Sequence, residues 1–201
     1  MRQSKGMMPK KRFPVSEAHR LDLPARKVWL PPADVLSAIG VQSGQTIADV
    51  GAGTGYFSLP LALAVGPNGK VYAVDAQDEM LSLLWQRRDD AAITNIKLMH
   101  AEADKTGLPE CICDLFFAAN VWHEFNDRAA VLQESTRILK AGGRVAILDW
   151  RTDSPPKPGP PLNHRIDSSD AVDALRSHGF RDITVVHVGL YSWLVQGEMG
   201  E

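Results

Sequence analysis

Ile47-Ala48-Asp49-Val50-Gly51-Ala52-Gly53-Thr54-Gly55-Tyr56-Phe57-Ser58-Leu59-Pro60-Leu61-Ala62 is the stretch around which the rest of this 201-residue chain is organised. Apolar residues lead into Asp49. Glycines follow at alternate positions, and an apolar, helix-like run starts at Tyr56. The pattern reads as strand, tight turn, helix. Glycine lets the backbone bend sharply there and approach a ligand closely. The unpaired N–H groups at the helix start then face that ligand. Taken alone, such a turn is also an ordinary strand-to-helix connection.

A second feature narrows the reading. Val71-Tyr72-Ala73-Val74 reads as the next strand and ends in Asp75, 24 residues after Gly51. An acid at that distance, at the tip of the second strand, suits the two hydroxyls of a ribose. Two ligand classes fit, a dinucleotide and S-adenosylmethionine. The dinucleotide pattern places its third glycine three residues after the second. Here Tyr56 stands at that position and the third glycine comes one residue earlier. Asp49, just before the turn, suits a ligand with an ammonium group better than one with a pyrophosphate.

These residues resemble the class I S-adenosylmethionine-dependent methyltransferases, over roughly Val35 to Gln196. The resemblance rests on the glycine motif (Asp49 to Gly55), Asp75, and Ala101-Glu102-Ala103-Asp104. It continues through Asp114 to Asn120, followed by Val121-Trp122-His123-Glu124-Phe125, and ends with Leu139 to Trp150. Within that family the chain looks most like the small-molecule enzymes related to ubiquinone/menaquinone and arsenite methyltransferases. It lacks the additional cysteines of the arsenite enzymes, which argues against arsenic as acceptor.

The length suits one α/β domain with a full core. No apolar run approaches the ~18 residues of a membrane span. The N-terminus is basic without the apolar centre of a signal peptide, so a cytoplasmic location is expected. Cys111 and Cys113 are the only cysteines. In a strand-like region they point to opposite faces, which disfavours a disulfide between them. Net charge is −2, unevenly spread. Residues 1–30 carry eight Lys/Arg against Glu17 and Asp22, leaving 14 basic against 22 acidic residues in the remainder. Nucleic acid is a less favoured partner than a small molecule, because no aromatics interleave these cations as in single-strand binders.

Residues 1–32 are expected to form a basic, proline-broken arm or flap, its first 12 residues without regular structure, and 33–201 the methyltransferase domain. Pro14, Pro24, Pro31 and Pro32 exclude a long helix in the arm. A short helix over 34–39 stops at Gly40. Strands are predicted at 46–50, 70–75, 96–101, 113–119 and 144–149. Helices are predicted at 56–65, 78–91 and 127–140. In the helix 78–91, Met80, Leu81, Leu84, Trp85 and Arg88 recur at helical spacing and mark the core face. Strict alternation implies a doubly wound parallel sheet. Gly51–Gly55, Asp75, Asp104, Asn120 and Asp149 all follow predicted strands, the edge at which such sheets bind ligands.

The tail differs. Ser168 or Ser169 is expected to cap a helix to about His178. Strands at 183–188 and 191–195 are joined so tightly that only an antiparallel hairpin fits. The result is an α/β, seven-stranded, mostly parallel sheet ending in that hairpin, the Rossmann-like methyltransferase architecture. Residues 151–167 hold Pro155, Pro156, Pro158, Pro160 and Pro161, a stiff loop and a candidate lid. Monomer and homodimer both remain open, since the hairpin leaves an edge that can pair.

The resemblance implies roles. Asp49 and the backbone of Gly51, Ala52, Gly53 and Gly55 would hold the methionine part of the cofactor. Asp75 and Ala76 would meet the ribose, Ala103 and Asp104 the adenine, Met80 its face, and Asn120 the methionine end. Methyl transfer from a sulfonium needs alignment and exclusion of water, plus a base when the acceptor arrives protonated. His123 is the candidate base. Trp122, Asp149, Trp150, His164 and Arg165 are candidates for the acceptor pocket. His123-Glu124 begins a zinc-helix pattern, but Asp127 replaces the second histidine, so no metal is expected. No Asn-Pro-Pro-Tyr or Asp-Pro-Pro-Tyr follows the fourth strand and no Pro-Cys occurs, which disfavours nucleic-acid base methylation. The rivals are an RNA or protein methyltransferase docking through the arm, a non-catalytic cofactor-binding module and, least favoured, a dehydrogenase. The expected product of the cofactor is S-adenosylhomocysteine.

Overall fold

A computed structural model describes residues 12–200; the expectation for residues 1–11 lies outside the described residues. Seven strands form one sheet: β1 (Thr46–Val50), β2 (Lys70–Asp75), β3 (Ile96–His100), β4 (Cys113–Ala119), β5 (Leu139–Trp150), β6 (Phe180–Val188) and β7 (Ser192–Met199). Their order is β3-β2-β1-β4-β5-β7-β6. The first five strands pair in parallel. β7 runs antiparallel to both β5 and β6. Chain order reverses beside β1, whose neighbours are β2 on one side and β4 on the other, so the switch point lies there.

The helices are α1 (Pro24–Trp29), α2 (Pro32–Ile39), α3 (Ser58–Val65), α4 (Asp78–Asp90), α5 (Arg128–Ile138) and α6 (Ser168–Ser177). A 3-10 turn covers Val15–Asp22. Alternate strand residues feed two cores, one on each sheet face. Phe117, Ile47 and Leu148 belong to one, and Phe116, Ala48 and Ile147 to the other. That double burial explains the near-continuous apolar text of the central strands.

The structure changes several expected boundaries. β5 starts at Leu139, directly after α5, instead of at 144. Its pairing with β4 slips between Cys113 and Leu115, and Gly142 takes φ +70°, so the Lys140–Gly143 segment bulges without leaving the sheet. The caps also shift. Asp127 caps α5, accepting from the Ala130 N–H at 2.9 Å, and Asp167 caps α6, accepting from the Ser169 N–H at 3.0 Å. Asp is as good a cap as Ser, so residue type alone did not choose between neighbours. Trp85, expected on the core face of α4, is 49% exposed while Met80, Leu81 and Leu84 are buried. Both cysteines are free thiols, and burial pushes the Cys113 thiol up to about 12.

Gly55, in the turn that leads into α3, packs against α4. An added Cβ there would lie 2.1 Å from Leu84 Cδ1, with φ at +86°. Leu84 is fully buried and has nowhere to retreat. Gly55→Ala should therefore cost about 2–4 kcal/mol from overpacking and left-handed strain. A lower urea midpoint with an unchanged slope would show it.

Candidate functional site

A cleft of about 1060 Å³ opens at the carboxyl ends of β1, β2 and β4, walled by the glycine turn and by residues 12–29. It gathers Asp49, Gly51, Ala52, Gly53, Asp75, Ala76, Met80, Ala103, Asp104, Asn120, His123 and Trp150. Gly55 lies outside the lining and serves packing, as described above.

The glycine turn is held from both sides. Gly51 and Ala52 donate their N–H groups to the Val74 carbonyl at 2.8 and 3.0 Å. Gly53 N–H donates to Asp75 Oδ2 at 2.8 Å, and Gln77 N–H donates to Asp75 Oδ1 at 2.9 Å. Side chains are excluded from this bend: a Cβ on Gly51 would approach Val121 Cγ1 to 2.7 Å. Burial raises the Asp75 carboxyl above its ordinary range. Asp49 is buried and accepts from the Ser58 hydroxyl at 2.5 Å. Burial pushes it up to about 7, so a nearby cation would be needed to keep it charged. Asn120 follows β4 with φ +58° and donates its N–H to the Leu148 carbonyl at 2.7 Å. Among the described residues nothing pairs with its buried Oδ1 and Nδ2. A buried amide without a partner calls for one.

On the opposite wall, His123 Nδ1 stands 2.9 Å from Asp149 Oδ1. Asp149 is 1% exposed and also accepts from the N–H groups of His123 and Trp150, at 2.9 and 2.8 Å. A buried carboxylate with three donors fixes the Nδ1–H tautomer and leaves Nε2 as the basic nitrogen. Nε2 is 3.8 Å from Glu124 Oε1.

Several residues expected at the acceptor wall lie elsewhere. Trp122 is fully buried, packs on Phe125, and donates its indole N–H to Asp170 at 3.0 Å. Asp149 lies outside the lining, behind His123. His164 lies outside the lining. Arg165 is buried behind the proline loop, where its guanidinium donates to the carbonyls of Arg151, Ser154, Pro155, Pro156 and Pro160. It thereby supplies donors to carbonyls that prolines leave without ladder partners. The loop so held presses Gly159 against Trp150, where an added Cβ would lie 2.5 Å from the indole. Trp150 does line the cleft, and Trp29 packs beside it with centroids 5.2 Å apart.

Sequence reasoning missed Arg26, Trp29, Tyr56, Gln77 and Glu124 as lining residues. Glu124 was weighed only within a zinc pattern, yet it accepts from the Phe13 N–H at 3.3 Å while Gln77 Nε2 donates to the Phe13 carbonyl at 3.1 Å. These bonds, with the Arg12–Glu102 pair at 2.5 Å and the Asp22–Arg87 pair, dock residues 12–29 on the cleft.

Burial pushes Glu124 from 4.5 up to about 7. The folded chain therefore binds this proton more tightly than the unfolded chain. The stability this proton contributes is fully present below 4.5 and is lost as pH rises through about 7. Asp49, raised from 3.8 to about 7, acts in the same direction. Urea midpoints should be higher at pH 5 than at pH 8, and Glu124→Gln should narrow that gap by roughly half. An unchanged gap would show that Glu124 does not carry it.

A family model described as a methyltransferase domain matches residues 48–147. Demethylmenaquinone methyltransferase from Oceanobacillus iheyensis is 33% identical over 116 residues, covering 58% of this chain and 49% of that protein. The ubiquinone/menaquinone biosynthesis C-methyltransferase UbiE from Pseudomonas putida is 34% identical over 116 residues, covering 55% and 44%. The chain thus spans about half the length of these curated relatives. A crystal structure of a SAM-dependent methyltransferase from Aquifex aeolicus superimposes with a TM-score of 0.88 at 32% identity, covering 94% of this chain and 100% of that one.

Proposed function

This chain belongs to the S-adenosylmethionine-dependent methyltransferases, and from that membership we propose that it methylates a small-molecule acceptor seated between the glycine turn and the Trp29–Trp150 wall. The observation that carries the reading is the meeting, at one switch point, of Gly51, Gly53, Asp75 and Asn120 with the His123–Asp149 pair across the cleft.

The residues present fit the cofactor. A glycine, Gly51, whose Cα must stay bare, a second in the left-handed region at Gly53, an acid tied to the turn, a buried carboxyl awaiting a cation and an orphaned amide suit an adenosine bearing an amino acid. When bound, the cofactor supplies a methyl group activated on a sulfonium. Asp75 would hold the ribose hydroxyls, Asp104 the adenine amino group, and Asp49 and Asn120 the methionine end. Residues 12–29 and the proline loop exclude water, which raises the effective concentration of aligned reactants. His123 Nε2 takes the acceptor's proton, and Asp149 positions the ring and stabilises the imidazolium that results.

The relatives named above act, by their names, on demethylmenaquinone and in ubiquinone/menaquinone biosynthesis. An acceptor with a planar ring and an ionisable hydroxyl suits both the indole wall and the histidine. The arm is read as a flap and not as a nucleic-acid dock, because the Arg12–Glu102 and Asp22–Arg87 pairs and the Phe13 bonds tie it to the cleft and Arg26 is buried, with Arg20, paired locally to Glu17, and Lys27 at the surface. Among the described residues no helix is long and apolar enough to cross a membrane, and a cytoplasmic location is part of this proposal.

The test is to incubate the protein with methyl-labelled S-adenosylmethionine and a desalted cell extract, then count small-molecule, RNA and protein fractions. Label in a small-molecule fraction, absent with Asp75→Ala, supports the reading. Label in RNA or protein, or cofactor binding with no transfer to any fraction, counts against it.

A further inference from the structure

Arg26 is a buried cation that the described chain does not neutralise. It is 7% exposed and lines the cleft from α1. Its Nη1 donates to the Leu21 carbonyl at 2.9 Å, and its guanidinium lies 4.0 Å from the centre of the Tyr56 ring. Its Nε is buried and has no hydrogen-bond partner among the described residues. The acid whose field reaches it is Asp22, but that carboxylate is taken by Arg87 and by the Thr54 hydroxyl. Among the described residues, no ion pair includes Arg26. Burial without a partner draws its guanidinium down to about 10. A charge held this way is costly unless something anionic arrives.

Position narrows what arrives. Tyr56, beneath the guanidinium, directly follows the glycine turn. Leu21, which holds Nη1, comes within 3.5 Å of where a Cβ on Gly53 would stand. Arg26 therefore borders the same turn as Asp49 and Asn120, the residues suited to an ammonium group. Of the other cations lining the cleft, Arg12 pairs with Glu102 and Arg20 with Glu17, and Lys157 stands on the proline loop, away from the flap. An α-amino acid presents a carboxylate one carbon from its ammonium, and a guanidinium fork matches a carboxylate's two oxygens.

We propose that Arg26 is the receptor for the carboxylate of the cofactor's methionine moiety, so that the flap closes through this ion pair. The inference rests on the methyltransferase reading above. It adds an assignment to a residue outside the glycine motif, on an element that precedes the sheet. The carboxylate pairs with the guanidinium, the unpartnered Nε–H gains an acceptor, and α1 is drawn against the ligand.

Calorimetric titration with two ligands tests it. S-adenosylhomocysteine carries the amino acid, whereas 5′-methylthioadenosine keeps the adenosine and sulfur without it. Arg26→Gln should weaken S-adenosylhomocysteine binding roughly 30- to 100-fold, as expected for removing one partner of a buried charge pair. Affinity for 5′-methylthioadenosine should stay within about threefold, which also reports that the variant folds and keeps its adenosine site. Arg26→Lys, which keeps charge but not the fork, should fall between wild type and Gln. Unchanged S-adenosylhomocysteine affinity in Arg26→Gln, or an equal loss for both ligands, would overturn the proposal. Binding of neither ligand to the wild-type protein would instead sink the cofactor reading on which it stands.

Discussion

Asp75→Ala should weaken S-adenosylhomocysteine binding by roughly 100- to 10,000-fold. The number follows from two hydrogen bonds to a charged group, each about 1.5–3 kcal/mol, at 1.4 kcal/mol per decade. The carboxylate also carries structure. One oxygen accepts from Gly53 and the other from Gln77, so its removal loosens the turn it is meant to serve. Asp75→Asn separates these contributions. It retains shape and one acceptor oxygen but turns its NH₂ toward an N–H donor on one side. A loss of about 10- to 100-fold is expected for it, since one favourable contact becomes a donor–donor clash. Calorimetry gives the affinities, and urea midpoints show whether the fold survives. Affinity within threefold of wild type in Asp75→Ala would mean that the ribose is not held here.

His123→Ala should lower kcat by about 10²- to 10⁴-fold, the range for a positioned base, once an acceptor is in hand. Binding of S-adenosylhomocysteine should be unaffected. Asp149→Asn should lower kcat nearly as far without touching the acceptor. Its amide would offer N–H to Nδ1, which moves the ring proton to Nε2 and removes the lone pair needed for catalysis. The buried backbone donors of His123 and Trp150 also converge on that carboxylate, so part of the loss would come from displacement of the ring. The split between kcat and affinity separates base from scaffold: His123→Ala should lose kcat while S-adenosylhomocysteine affinity is kept. Transfer at the wild-type rate in His123→Ala would show that alignment alone suffices.

Much of this protein was legible in the chain because its signals are local. The glycine turn reads from the sequence since glycine adopts left-handed backbone angles at least cost: φ is +77° at Gly51 and +54° at Gly53. Strand alternation reads from apolar runs because central strands bury both faces. The antiparallel tail reads from a connection too short for a crossover, and three residues, Gly189 to Tyr191, separate β6 from β7. Boundaries failed where two local rules competed, as at Leu139, where a helical pattern runs straight into a bulged strand.

The acceptor side was far less legible. Trp122 and Trp150 look alike in sequence, each following a strand and each next to a charged or titratable neighbour. Only packing turns Trp122 into the core beside α5 and α6 and leaves Trp150 on the cleft. Arg165 was expected to meet a ligand and instead gathers the carbonyls of its own loop. Arg26 carries no sequence signature, and the motif holding Glu124 does not show that its carboxyl meets Phe13. The sequence by itself determined the α/β order, the bare glycine turn and the acid at the tip of β2, because periodicity and backbone sterics act between near neighbours. Tertiary structure alone decided which side chains share the cleft, which carboxyls are raised and which guanidinium is left unpaired. Those properties depend on burial and charge brought together from distant parts of the chain, as when Phe13 meets Glu124 or Arg26 settles on Tyr56.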